Sequence, residues 1–100
     1  VFFKKDDGDT NLDFVVEKNS TETATAAVGT VANDTFITAT FFIDPDRSKV
    51  YYSINNAAPV GVVNTNLPDD EELTVTLAIQ AGAAAAKSLT VDYVSAIVER

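Results

Sequence analysis

The sequence predicts an all-β fold, an antiparallel β-sandwich of about six to eight short strands with at most one helical turn. Three observations lead there. Thr, Val and Phe recur in short alternating runs, the chemistry of a pleated surface. Turn clusters separate these runs at regular intervals: DDGD, VGTVAND, DPDR, NNAAP, NLPDD and QAGAAAAK. No segment shows helical periodicity, and the AAAAK stretch, Ala83 to Lys87, is too short for a stable helix and reads as a loop with one turn at most.

In chain order, Val1 to Lys5, Leu12 to Glu17 and Thr23 to Val28 are the weaker strand candidates. Thr35 to Asp44 is apolar on both sides near its end, so it reads as a more buried strand. Val50 to Ile54 and Pro59 to Val63 complete a meander with it. The clearest alternation comes last. Leu73, Val75, Leu77 and Ile79 alternate with Thr74, Thr76, Ala78 and Gln80. Leu89, Val91, Tyr93 and Ile97 then alternate with Thr90, Asp92, Val94, Ala96 and Val98. The strand Leu89 to Glu99 is therefore expected to be central, with its odd-numbered row lining the core, and stopping the chain after Ser88 is expected to unfold it.

One hundred residues read as a single domain, 1–100, with 46% hydrophobic content that permits a modest core. Fifteen acidic and seven basic residues give a net charge of −8. That charge repels a phosphate backbone or an anionic bilayer, so neither nucleic acid nor membrane is an expected partner. The absence of Cys excludes disulfides and thiolate chemistry, and the absence of His removes the commonest general base. No apolar run reaches the ~20 residues of a membrane helix. There is no Met even at position 1, so Val1 is not expected to be the translational start. The chain then reads as processed, or as the C-terminal or ordered part of something longer.

KKDDGDTNLD, Lys4 to Asp13, sets four aspartates around Gly8. Asp7, Asp9 and Asn11 fall at the first three ligand positions of an EF-hand loop, but Leu12 stands where that loop needs Gly and Lys18 where it needs Glu. A strand-connecting turn with Gly8 at positive φ fits better, and no metal or cofactor is expected. The acidic run Asp69, Asp70, Glu71 and Glu72 reads as a solvated loop and not as a glycosidase carboxylate pair. Tyr51, Tyr52 and Tyr93, with Phe41 and Phe42, are candidates for an aromatic platform; adjacent strand residues face opposite ways, so about half should be core. The sequons at Asn19 and Asn33 are expected by chance in a Thr-rich chain.

From about Thr35 onward the chain resembles the later half of a concanavalin A-like (lectin/glucanase, laminin-G-like) jelly roll. The likeness rests on a strand ending FFID, then VYYSINNAAPVGVV with Ile54, Asn55 and Asn56 at a tight hairpin, then NTNLPDDEELTVTLAIQAGAAAAKSLTVDYVSAIVER. This ending is similar to tailed-bacteriophage virion proteins, where such jelly rolls serve as capsid decorations or tail and fibre modules. The resemblance implies a non-enzymatic virion component, in several copies or as a homo-oligomer, docking on a capsid or tail protein. The family's other implication is a lectin-type carbohydrate-binding module. The Glu-x-Asp-x-x-Glu strand of the family's enzymes has no counterpart, since Asp13 with Glu17, or Asp92 with Glu99, has the wrong spacing.

Overall fold

The computed structural model describes residues 1–63, 65–68, 70, 72–82, 84 and 86–98, leaving aside the side chain of residue 63. It is all-β, with six strands in two antiparallel three-stranded sheets and a single 3-10 turn among the described residues. The first sheet runs β1 (Phe2–Lys4), β2 (Asn11–Lys18) and β3 (Thr21–Thr30); the second runs β4 (Ala39–Asp44), β5 (Lys49–Ile54) and β6 (Val60–Val63). Each sheet is a plain meander, so every strand pairs with its neighbour in sequence.

The turns follow from residues that tolerate left-handed backbone. Asn19 and Ser20 hold φ of 51° and 61° between β2 and β3. Asn55 and Asn56 do the same at 52° and 59° after β5, where Ala57 N–H donates to the Ile54 carbonyl at 3.0 Å. Between β4 and β5 the 3-10 turn Pro45–Arg47 is capped by Asp44, whose carboxylate accepts from the Arg47 backbone N–H and from its guanidinium at 2.8 Å. The pairing of β2 with β3 slips between Leu12 and Phe14. Ala27 takes φ of 56° in that slip, and its N–H donates to Asp13 Oδ1 at 2.8 Å. Asp13 therefore supports a β-bulge.

The sheets meet through aromatic rings. Phe14 on β2 lies 5.0 Å from Phe3 on β1, 5.0 Å from Tyr52 on β5 and 6.1 Å from Phe41 on β4. Phe14, Val16, Val50 and Leu67 form the buried cluster, with Val1, Phe3, Val28, Ile43 and Tyr52 packed around it. Val15 points to the other face of its sheet and is also fully buried.

Strength of alternation in the sequence does not rank the strands by burial. One of the three weaker candidates, Leu12 to Glu17, supplies most of the buried core among the described residues: Leu12, Phe14, Val15 and Val16. Thr35 to Asp44 pairs only from Ala39, and it lies at a sheet edge with Phe41 39% and Phe42 50% exposed, not at the buried position expected. Leu73 to Ala81 and the described part of Leu89 to Glu99 form no strand at all, which corrects the expected central strand. The physical reason is local: a β-strand is stable only with a partner, and neither sheet extends to these segments.

Candidate functional site

The aspartates around Gly8 are held by the fold itself. Asp9 N–H donates to the Asp6 carbonyl at 3.3 Å, and Gly8 sits at φ 78°, closing a turn between β1 and β2. Asp9 turns its carboxylate onto the Asn11 N–H at 2.9 Å. Asp6 approaches the Lys4 ammonium at 3.9 Å, Asp7 abuts Gly82, and Asp13 holds the bulge. Asn11 is the first residue of β2. The structure thus keeps Asp7, Asp9 and Asn11 on one connection and gives their neighbourhood a local structural use. Among the described residues no three carboxylates gather in a metal-binding group.

Two expected outcomes follow. Calcium or a chelator should leave the melting temperature of the protein unchanged; a rise with calcium that Asp7→Ala or Asp9→Ala removes would restore the ion-loop reading. Gly8→Ala should cost about 1 kcal/mol, seen as a lower urea midpoint, because a Cβ at Gly8 meets nothing within 4 Å and only the positive φ is penalised. Gly8→Asn should recover part of that loss, and equal stability of all three proteins would show that the turn relaxes freely.

Of the acidic run, Asp69 and Glu71 lie outside the described residues. Asp70 makes a 2.8 Å ion pair with Lys18 at the end of β2, and Glu72 is exposed. The five aromatics do not converge. Tyr52 and Phe41 face the core, while Tyr51 and Phe42 stack on the outer face with ring centroids 4.6 Å apart and planes 10° from parallel. Gly61 on β6 lies beneath that pair, where a Cβ would stand 2.8 Å from the Tyr51 ring. Tyr93 is exposed. Asn19 and Asn33, the sequon residues, lie in exposed loops.

The largest chemical feature is the C-terminal third. Every described residue from 72 to 98 is exposed. Leu73, Val75, Leu77 and Ile79 are 53–60% exposed, and Leu89, Val91, Tyr93 and Ile97 are 44–91% exposed. Val94 and Val98, on the alternate row, are exposed too. Parts of this segment lie near the body. Leu73 shares a shallow depression with Val1, Phe2, Glu17 and Pro68, and Gly82 and Lys87 lie beside the β1–β2 turn. A run of alternating large apolar side chains without a sheet partner is unusual on a protein surface. The sequence displays the alternation plainly; what it does not display is that the two sheets form without it.

No family model matches the chain, and no curated protein or solved structure matches it.

Proposed function

We propose that the protein is a non-enzymatic structural component of a phage-like virion, a capsid decoration or tail-associated module of concanavalin A-like jelly-roll type. It works by adhesion. A small rigid sandwich carries an apolar segment that docks on other virion proteins, while the acidic loops face solvent. The observation that carries this reading is the exposure of the two alternating segments, 73–81 and 89–98, which gives the chain an interaction surface out of proportion to its core. The likeness of the chain's ending to virion jelly rolls supplies the setting.

The test is quantitative purification of particles from the source. The protein should band with particles at a fixed copy number, in the presence of free sugars or a chelator alike. Its recovery only in the particle-free fraction would overturn the reading.

A second reading, a lectin-type carbohydrate-binding module, is favoured by one feature. The stacked Phe42–Tyr51 pair over Gly61, with Phe42 half exposed, offers a flat ring face of the kind on which sugars stack. Glycan binding abolished by Phe42→Ala would move the assignment to that class.

A further inference from the structure

We propose that β4 of one copy is paired by the C-terminal segment 89–98 of a second copy, so that the chain assembles with itself by strand addition. The proposal deepens the adhesion reading and rests on it, because it names the first partner of the docking segment.

The argument starts from a mismatch in β4. Its sequence, ATFFID, carries large apolar side chains on both faces, as a strand covered on both sides does. In the fold it is an edge strand. Its inner-face Phe41 reaches the rings of Phe3 and Phe14 yet stays 39% exposed, and its outer-face Phe42 is 50% exposed. An edge strand ordinarily carries charge, proline or a bulge to discourage pairing. From Ala39 to Ile43 this one has none of them, and its register with β5 is unbroken from Ala39 to Asp44.

The segment 89–98 shows the same mismatch from the other side. Leu89, Val91, Tyr93 and Ile97 form one apolar row, and Val94 and Val98 stand on the other, yet all six are exposed. Laid beside β4, such a segment covers Phe41 with one row and Phe42 with the other. It would also add a ladder of backbone hydrogen bonds along the edge of β4, which among the described residues pairs only with β5. β3, the other long edge strand, is a poorer receptor. It is built from Thr, Ala and Glu, and it is interrupted by the Ala27 bulge.

Charge allows the donor and the receptor to come from copies of one chain. Residues 1–72 hold thirteen acidic and five basic side chains, which accounts for the whole net charge of −8. From residue 73 onward Lys87 and Arg100 balance Asp92 and Glu99. A neutral arm can approach an acidic body where two bodies would repel each other face to face. Within a single chain β4 pairs with β5 on one side only, and segment 89–98 belongs to neither sheet.

The absence of cysteine makes disulfide mapping clean. Thr40→Cys in one preparation is mixed with Thr90→Cys, Asp92→Cys, Val94→Cys or Ala96→Cys in another, and the mixture is oxidised. At least one mixture should yield a disulfide dimer joining the two variants, and the unmodified protein should sediment as a dimer or larger species. Val91→Glu with Ile97→Glu, at positions exposed in the single chain, should keep the circular dichroism spectrum and weaken self-association at least tenfold. Two results overturn the proposal. One is a monomeric mass with no cross-link between copies. The other is a cross-link formed only within one chain carrying both cysteines, which shows that the segment closes its own sheet. Stoichiometric recovery with particles alongside either result leaves the virion reading standing and removes only the self-pairing.

Discussion

Phe14→Ala is expected to leave the protein largely unfolded at room temperature. Phe14 is 1% exposed and is the one residue whose ring lies 5.0 Å from both Phe3 in its own sheet and Tyr52 in the opposite sheet. Truncating a buried Phe to Ala costs about 3–5 kcal/mol through lost burial and the cavity left behind. A domain of this size has roughly 5–15 kcal/mol in total, and among the described residues the buried cluster between the sheets is small: Phe14, Val16, Val50 and Leu67. The lower end of that range is the relevant one, so a single substitution takes most of the margin. Neighbouring rings cannot refill the space easily, because Phe3 and Phe41 are fixed by their own strands. Urea titration followed by far-ultraviolet circular dichroism reads the effect. Phe42→Ala is the control: its ring is half exposed and stacks on Tyr51, so a loss near 1 kcal/mol is expected. A Phe14→Ala midpoint as high as that of Phe42→Ala would place the sheet-to-sheet cohesion elsewhere.

The contrast between these two phenylalanines shows what the sequence discloses and what it withholds. Strand type, turn positions and the β4–β5–β6 meander follow from local chemistry: Asn55 and Asn56 for a left-handed turn, Asp44 and Pro45 for a capped 3-10 turn, alternating β-branched and aromatic residues between them. Burial does not follow, because it depends on which strands meet across the sandwich. Leu12 to Glu17 has a mixed pattern with Asp13 inside it, so it reads as weak, yet Phe14, Val15 and Val16 are the most buried residues in the first sheet. Asp13 interrupts the apolar run because the bulge at Ala27 needs its carboxylate. The strongest alternation, in 73–81 and 89–98, forms no strand in the structure, because alternation says nothing of where a partner would come from. The turn around Gly8 is readable for a simple reason: the positive φ it requires is what a glycine there supplies.

Stopping the chain after Ser88 is expected to leave a folded, soluble body that no longer associates. The alternation alone argued for the opposite result, and the difference is decided by burial. The removed side chains Leu89, Val91, Tyr93, Val94, Ile97 and Val98 keep 44–91% of their surface in water, so removing them forfeits only a fraction of the ~1.5–3 kcal/mol that full burial of each contributes. No sheet ladder is lost, since the described part of the segment belongs to neither sheet. The core side chains Phe14, Val16, Val50 and Leu67 all precede the cut. The melting temperature should therefore move by no more than a few degrees, which for a body of this size corresponds to about 1 kcal/mol. Removing exposed apolar surface should also raise solubility. A second cut, after Val63, sharpens the comparison because it takes Leu67, 5% exposed within the core cluster, together with the Asp70 carboxylate that pairs with Lys18. Loss of a buried Leu costs about 2–5 kcal/mol, so this shorter chain should be strongly destabilised or insoluble. Sedimentation and thermal melts of the two truncations, beside the full chain, separate a boundary of the fold near Leu67 from one beyond Ser88. If the chain cut after Ser88 precipitates or melts without cooperativity, residues 89–98 belong inside the sandwich, and the edge at β4 is closed by the chain's own terminus.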